Sequence, residues 1–198
     1  MRIIAGIAKG MPLTAPRGAQ VRPTADRIRE AVFSSLGGRV DGADVLDLYA
    51  GTGALGLEAA SRGARSVTFV ENAGPALAAI RQNIEHFRRN RAVDCPLTVL
   101  RAAVEDQLEK LAREGRRFHL ILADPPYGDT GQGLLANVSL PSLLMESGLW
   151  ALETGRRDRL EITSPWQLAR DAVYGDTRVS FLALEKDPAA AAAGTASP

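Results

Sequence analysis

A four-residue motif, Asp124-Pro125-Pro126-Tyr127, directly follows the apolar run Phe118–Ala123. The run predicts a buried strand, so the motif lies at a strand end. The lone pair of an exocyclic amine on a nucleobase is delocalised into the ring, and it must be localised on nitrogen before it can attack a sulfonium methyl. Asp124 and the Pro125 carbonyl can each accept one N–H bond, which favours the pyramidal transition state over the planar ground state. The motif therefore predicts methylation of a flat amine.

The other residues of the motif suit the same chemistry. Pro125 and Pro126 fix the backbone so that both acceptors converge, and Tyr127 can stack on the base and hold it in line with the methyl group. Asp124 can also help to remove the proton, but water can do so after methyl transfer, so we assign it orientation first and base chemistry second. Taken by itself, the motif also fits a rigid turn that caps a strand. We predict all four residues to be catalytic.

A glycine motif lies upstream, in the segment Asp47–Gly56, which reads Asp-Leu-Tyr-Ala-Gly-Thr-Gly-Ala-Leu-Gly. Strand, glycine loop and helix in succession place backbone N–H groups near a ligand at the carboxyl end of a strand. Glu71 ends the next predicted strand, and a carboxylate there can accept both hydroxyls of a ribose. The loop therefore predicts a nucleoside cofactor.

The form of the glycine motif favours one cofactor over another. A dinucleotide site typically has Gly-x-Gly-x-x-Gly as its whole signature, whereas here an acid precedes the first glycine by four residues. That arrangement resembles the Rossmann-like methyltransferases that use S-adenosylmethionine, and we expect this cofactor. The residues that we expect to bind it are Asp47, Tyr49, Gly51, Gly53, Glu71, Asn72, Ala102 and Ala103.

The composition is that of an ordinary globular protein. The chain has 198 residues, 45% of them hydrophobic and 24% charged, enough for one α/β domain with a small extension. No stretch is long and apolar enough for a membrane span, and the N-terminus lacks the features of a signal peptide. One cysteine and two histidines argue against a disulfide or a metal site. We expect a cytoplasmic protein with no metal.

The charge is distributed unevenly along the chain. Residues 1–40 carry seven basic and two acidic side chains, whereas the remainder carries 17 basic and 21 acidic ones. A basic segment on a mildly acidic body suggests local contact with phosphate, although a solvated arginine-rich surface fits equally well. We predict that Arg2, Lys9, Arg22 and Thr24 bind the substrate.

Strands and helices are predicted to alternate through the centre of the chain. A short hairpin, Ile3–Ala8 and Leu13–Ala15, precedes a helix that Thr24 can cap and that Gly37-Gly38 ends. This alternation predicts a parallel sheet with helices on both faces. The predicted central strands are Val45–Tyr49, Ser66–Glu71, Leu97–Arg101 and Phe118–Ala123, and the helices are Leu55–Ser61, Pro75–Arg88 and Val104–Glu114.

The last third of the chain has a weaker pattern. Ser142–Trp150 is predicted to be helical, and a fifth strand lies at Leu149–Glu153 or, as we favour, at Arg159–Thr163. Leu168–Tyr174 and Val179–Glu185 predict an antiparallel hairpin. Residues 187–198 are rich in Ala, Gly, Pro and Ser and predict a disordered tail.

A duplex cannot present its amine to such a pocket, so the target must be single-stranded, looped out or flipped. The basic N-terminal hairpin and Arg22 can hold nearby phosphates. A second candidate surface, on the third helix and just after it, is more simply interpreted as an ordinary solvated helix face. It consists of Arg81, Arg88, Arg89 and Arg91.

These motifs together resemble the RsmD family of bacterial ribosomal RNA guanine-N2 methyltransferases. The resemblance covers most of residues 1–186 and includes both central loops. Its most specific elements are Arg2-Ile3-Ile4-Ala5-Gly6 and Arg22-Pro23-Thr24, with Asp26-Arg27, Phe33 and Tyr174–Arg178 as further matches.

The resemblance implies methylation of guanine N2 in small-subunit (16S) ribosomal RNA, on the subunit or an assembly intermediate. It also implies a cytoplasmic monomer whose N-terminal hairpin helps to recognise RNA. The family commonly has a polar Asn or Asp after the third strand, where this chain has Ala102-Ala103. Backbone groups there, apolar packing or Glu105 must then hold the adenine.

We therefore expect a Rossmann-like α/β methyltransferase domain over residues 41–186, with a mostly parallel seven-stranded sheet that ends in an antiparallel hairpin. Residues 1–40 form a hairpin and helix extension, and residues 187–198 a tail. Two other functions remain open: an adenine-N6 DNA methyltransferase, and a catalytically silent RNA-binding assembly factor. The absence of a separate target-recognition domain argues against the first, and the intact Asp124–Tyr127 motif argues against the second.

Overall fold

The computed structural model describes residues 1–16, 23–90, 95–126 and 131–185, with the backbone alone at residues 23–25 and 90. Its strands, in chain order, are β1 Asp44–Leu48, β2 Ser66–Glu71, β3 Leu97–Arg101, β4 Phe118–Ala123, β5 Leu144–Gly155, β6 Trp166–Tyr174 and β7 Thr177–Leu184. Its helices are α1 Pro23–Leu36, α2 Ala54–Ser61, α3 Gly74–Asn90, α4 Val104–Arg113, α5 Gln132–Leu135 and α6 Leu140–Leu143, and a 3₁₀ turn spans Gly37–Val40.

The described strands form one seven-stranded sheet in the order β3-β2-β1-β4-β5-β7-β6. β1 to β5 pair in parallel, and β7 pairs antiparallel with both β5 and β6. The expected Rossmann-like sheet with a C-terminal antiparallel hairpin is thus confirmed. Parallel pairing brings the carboxyl ends of the first five strands to one edge, which is where ligands bind in open α/β sheets.

Two apolar layers cover the faces of the sheet. One contains the N-terminal segment and helices α1, α2 and α3, whose buried side chains pack on Val45, Val67 and Leu122. The other contains α4 and α6, which pack on Leu46, Ile121 and neighbouring side chains. Central strands that are covered on both faces become nearly continuous apolar runs, as the sequence of β4 shows.

The predictions for residues 142–163 were wrong. Most of the stretch predicted as the helix Ser142–Trp150 lies in strand β5, and the favoured fifth strand, Arg159–Thr163, lies in none. The less favoured alternative, Leu149–Glu153, falls inside β5. Glu, Gly and Ala give this stretch little intrinsic strand preference, so pairing with β4 on one side and β7 on the other decides its conformation.

The N-terminal hairpin is shorter than predicted. A single antiparallel bridge joins Arg2 to Pro12, and the N–H of Ile3 donates to the carbonyl of Met11 at 2.9 Å. Residues 5–10 bend and turn instead of extending as a strand. The reason is that several of their amides bind to helix α2 and are therefore unavailable to a partner strand.

Helix α1 begins at Pro23, whose fixed φ and missing N–H suit the first helical position. Thr24 therefore lies in the first turn and not in the capping position that we predicted. The helix ends at Leu36, and Gly37 follows with a φ of 55°, as expected for a glycine stop.

A buried carboxylate, Glu58 on α2, holds the N-terminal segment in place. Its Oε2 accepts the N–H of Ile4 at 2.7 Å, and its Oε1 accepts the N–H of Ala5 at 3.0 Å. One turn later, Ser61 accepts the N–H of Ala8 through Oγ and the N–H of Ile7 through its carbonyl. The last turns of α2 thus replace the second strand that the segment lacks.

Two arginines balance the charge of Glu58. Arg62 donates from Nε to Oε1 at 2.7 Å, and Arg29 of α1 lies with its Nε 3.7 Å from Oε2. Arg29 is itself buried and donates through Nη2 to Asp26 and to the carbonyl of Arg2. Breaking one member of a buried ionic network is costly because it leaves its partners charged and unpaired.

We expect the substitution Glu58→Gln to lower the free energy of unfolding by about 3 kcal/mol, because the half-buried Arg62 loses its counter-charge and the buried Arg29 keeps only Asp26. Glu85→Gln is the matched control, since Glu85 also pairs with an arginine four residues later but on an exposed helix face. It should change stability by less than about 0.5 kcal/mol. Equilibrium urea unfolding measures both values, and equal losses would contradict the anchoring role of Glu58.

Candidate active site

The register of the sheet places both sequence motifs at one edge. Leu48, the last residue of β1, pairs with Val70 of β2 on one side and with Ala123 of β4 on the other. The glycine loop follows Leu48, Glu71 follows Val70 as the last residue of β2, and Asp124 follows Ala123. The expected juxtaposition of the two loops is therefore present in the fold.

The glycine loop turns tightly as it leaves β1. Tyr49 has a φ of 54°, unusual for a residue with a side chain, and Gly53 has a φ of 77°. The N–H of Gly53 donates to the carbonyl of Ala50 at 2.7 Å, which closes the turn. A Cβ on Gly56 would lie 2.2 Å from the ring of Phe69, so the loop and α2 approach β2 as closely as only glycine permits.

Glu71 organises this loop from the neighbouring strand. Its Oε2 accepts the N–H of Gly51 at 2.8 Å, and its Oε1 accepts the N–H groups of Asn72 and Ala73 at 2.8 and 2.7 Å. A carboxylate has about four lone-pair positions, so capacity for a hydroxyl remains. Glu71 thus holds the loop in shape and can also bind a ligand, whereas the sequence predicted only the second role.

Asp47 is buried, with 1% of its surface exposed, and Oδ2 accepts the N–H of Gly56 at 2.9 Å. Among the described residues, Oδ1 has no hydrogen-bond partner. Burial raises the pKa of Asp47 well above its usual range; the Gly56 N–H opposes the shift, and the charges of Asp124 and Glu71 add to it. A cationic or N–H donor group at Oδ1 would relieve this desolvation.

Ala102 and Ala103, which sequence analysis placed near a ligand, lie between β3 and α4 and are half-buried. The N–H of Ala102 donates to the carbonyl of Glu71 at 3.2 Å, so this segment is joined to the end of β2. Glu105, in the first turn of α4, accepts the hydroxyl of Tyr49 at 3.1 Å. Glu105 therefore already has a partner in this structure.

Asp124 is exposed directly after β4, whereas Pro125 is buried and Pro126 is exposed. The side chain of Asp124 is close enough to those of Asp47 and Glu153 to raise the pKa of both. Tyr127 lies outside the described residues, and its predicted stacking role stays a prediction.

Sequence reasoning missed Glu153, near the end of β5. Burial raises its pKa from 4.5 to about 8; the charge of Asp124 adds to the shift, and the guanidinium of Arg29 opposes it. The available signal was an acid at the end of the run Leu149–Leu152, the same pattern that singled out Asp124 and Glu71. The incorrect strand assignment in this stretch hid it.

Asn83 was also missed, although it is a lone polar residue among the apolar positions of α3. Its Oδ1 accepts the N–H of Thr14 at 2.8 Å, and its Nδ2 donates to the carbonyls of Thr14 and Thr52 at 2.9 Å each. Asn83 thereby joins the N-terminal segment to the glycine loop.

Two of the four predicted substrate-binding residues lie on one groove. Arg2 and Lys9 line it together with Arg27 of α1, Asp26 and Glu30, and its volume is about 720 Å³. Arg22 lies outside the described residues, and Thr24 is described by its backbone alone. The groove lies between the N-terminal loop and the first turns of α1.

No described helix is long and apolar enough to cross a membrane. No group of three or more His, Cys, Asp or Glu side chains in the described ranges is arranged to hold a metal ion.

Residues 1–183 match the family model described as Conserved hypothetical protein 95. The chain is 32% identical over 182 residues to ribosomal RNA small subunit methyltransferase D of Escherichia coli K12, a match that covers 88% of this chain and 85% of that protein. The structure of hypothetical protein TTHA0928 from Thermus thermophilus superposes with a TM-score of 0.77 at 29% identity and covers 93% of this chain and 99% of that one.

A more distant structure, the methyltransferase SMU.776 in complex with SAH, has a TM-score of 0.62 at 18% identity, over 82% of this chain and 50% of that one, and shares the fold alone. The family match spans nearly the whole described chain and includes both loops of the candidate site. The chain therefore belongs to the RsmD family, the family of ribosomal RNA small subunit methyltransferase D and its relatives.

Proposed function

We propose that the protein transfers a methyl group from S-adenosylmethionine to the exocyclic N2 of one guanine in 16S ribosomal RNA. The proposal depends most on one observation: the glycine loop and the Asp124 motif follow the adjacent strands β1 and β4 at the same edge of the sheet. Membership of the RsmD family supports the RNA substrate. The small ribosomal subunit or its assembly intermediate, in the cytoplasm, is the proposed partner of a monomeric enzyme.

The chain offers groups that fit the donor. Glu71 accepts three backbone N–H groups and has capacity left for a ribose hydroxyl, and the buried Oδ1 of Asp47 lacks a hydrogen-bond partner among the described residues. That oxygen suits the ammonium of the methionine moiety, directly or through water. When bound, S-adenosylmethionine supplies an electrophilic methyl on a sulfonium centre. The rest of this proposed site is formed by Gly51, Gly53, Tyr49 and Asn72. The adenine is expected beside Ala102 and Ala103.

Asp124 and the carbonyl of Pro125 accept the two N–H bonds of the amine. This contact is stronger when the nitrogen becomes pyramidal, so it favours the transition state over the ground state. Asp124 is exposed at the strand end, which leaves it accessible to a flipped base. Pro126 stiffens the loop, and Tyr127 stacks on the base. The proton leaves the nitrogen after methyl transfer, to Asp124 or to water.

The groove lined by Arg2, Lys9 and Arg27 holds the RNA backbone. Three basic side chains that line one groove give the sequence-independent attraction that positions a nucleic acid. Asp26 and Glu30 also line the groove, and Asp26 lies 4.0 Å from the guanidinium of Arg2, so the acids reduce the net positive charge there. Arg22 and Thr24 complete the proposed set of substrate-binding residues.

We expect Glu71→Gln to weaken S-adenosylmethionine binding by about tenfold or more, because the amide loses charge and turns a donor toward the loop amides. Glu114→Gln is the control, an exposed carboxylate after α4. Isothermal titration calorimetry measures both affinities. Unchanged affinity in Glu71→Gln would exclude Glu71 from the donor site.

We expect Asp124→Ala to reduce methyl transfer by at least about a hundredfold, since an acceptor that acts on the developing charge is lost. Donor affinity should stay within about twofold. Asp41→Ala is the control, an exposed acid at the opposite end of the sheet, before β1. Transfer of labelled methyl to small subunits, extracted ribosomal RNA and DNA is the measurement.

Three outcomes of that assay separate the candidate functions. Label at guanine N2 in 16S RNA, mapped by mass spectrometry, supports the proposal. Label only in adenine of DNA supports the DNA methyltransferase alternative. No label in any substrate, with donor bound, supports the silent assembly factor.

We expect the double substitution Arg2→Ala with Lys9→Ala to weaken RNA binding and to lower its salt dependence. Each lost phosphate contact should reduce the slope of log affinity against log salt by about 0.7 to 0.9. Arg113→Ala, on the exposed face of α4, is the control and should leave the slope unchanged. An unchanged slope in the double variant would place the RNA elsewhere on the protein.

A further inference from the structure

Glu153 and Asp124 occupy neighbouring positions on adjacent parallel strands. Ala123 of β4 pairs with Leu152 of β5, and each strand carries an acid at the next residue. Leu122 lies two residues before Asp124, and Ala151 lies two residues before Glu153. Both belong to the apolar layer of α1 and the N-terminal segment. Since side chains alternate along a strand, Glu153 extends toward that same layer. Glu153 therefore lies beside Asp124, on the face of the sheet that the N-terminal segment covers.

Charged groups from three elements face Glu153. Asp124 at the end of β4 and Asp47 in β1 are negative neighbours, and Arg29 of α1 is the positive one. Arg29 is already committed to Asp26, to the carbonyl of Arg2 and to Glu58. The charge of Arg29 is thus shared, so burial and the two negative neighbours together favour a proton on Glu153 at neutral pH.

We propose that Glu153 is a substrate-binding residue that, in its protonated form, donates a hydrogen bond to the acceptor ring nitrogen beside the target amine. The inference rests on the proposed function and extends it to a residue that neither sequence motif contains. Asp124 then accepts from the amine while Glu153 donates to the adjacent ring atom, so the two carboxyl groups present opposite hydrogen-bonding characters.

The hydrogen-bonding pattern of guanine fits this pair. Its N2 amine is a donor, and the adjacent N3 is an acceptor. An ionised Asp124 matches the amine, and a protonated Glu153 matches N3. Loss of the proton from Glu153 would place a second carboxylate against the lone pair of N3, and binding in the reactive position would weaken. Two titratable groups of the same type can therefore take different roles because their surroundings differ.

The test is the pH dependence of methyl transfer, from about pH 6 to 9.5, in the wild type, Glu153→Gln and Glu153→Ala. In the wild type, kcat/KM should fall as the pH rises through about 8, the pKa of Glu153. Glu153→Ala should lose about tenfold at pH 7, since one hydrogen bond is removed, and should lack the fall near pH 8. Glu153→Gln, whose amide also donates, should restore most of the lost rate and should lack the fall as well.

Opposite results would overturn the inference. A wild-type rate in Glu153→Ala at pH 7, or a fall near pH 8 that persists in both variants, would show that Glu153 does not contact the base. If the wild type methylates no RNA, the proposed function fails, and a titration of the carboxyl carbon by NMR still tests Glu153. Titration near pH 8 that moves to lower pH in Asp124→Asn would support the paired carboxyls. Titration near the ordinary value would reject them.

Stability provides a readout that is independent of substrate. Because the pKa of Glu153 is higher in the folded than in the unfolded chain, the wild type loses stability as the pH rises from 4.5 to about 8. Glu153→Gln should therefore unfold at a higher temperature than the wild type at pH 9 and at the same temperature at pH 4. Calorimetry at both values checks this expectation, and equal midpoints at pH 9 would contradict it.

Discussion

The glycine loop keeps its shape because two carboxyl groups from neighbouring strands bind its backbone amides. Asp47 accepts the N–H of Gly56, and Glu71 accepts the N–H of Gly51. Buried backbone N–H groups need hydrogen-bond partners, and in this loop acidic side chains of the protein provide them. The same two acids are the groups that best fit the donor. In the proposed donor site, a substitution of either acid would therefore change loop geometry and donor binding together.

The N-terminal segment is part of the same core and not an appended module. Ile3, Ala8, Met11 and Leu13 are buried in one cluster with the helices that flank β1 and β2. Glu58 and Ser61 satisfy its backbone amides, as described above. A surface that is to present basic side chains to RNA at a fixed distance from a reacting amine needs such rigidity, because small displacements of a reacting group are costly.

The sequence allowed the central part of the fold and most of the site to be predicted. Apolar runs gave β1, β2 and β4 within one residue, since these strands are buried on both faces, and the edge strand β3 was also predicted from its place in the alternation. Residues 144–155 could not be assigned, because the stretch has weak strand preference and owes its conformation to two neighbouring strands. Because of that error, Glu153 was not predicted as a site residue. Glu58 and Asn83 were missed for a different reason: their partners are backbone amides and carbonyls 31 to 69 residues away, and sequence spacing does not record such contacts.

The side chain of Asn83 has a consequence for how the two halves of the site respond to ligands. One amide group binds Thr14 in the N-terminal segment and Thr52 in the glycine loop, so the positions of the two segments depend on each other. Linkage between sites is reciprocal: a ligand that stabilises one segment shares free energy with a ligand of the other, by the same factor in each direction. Any coupling between the ligands of the two segments that passes through Asn83 must therefore act equally in both directions.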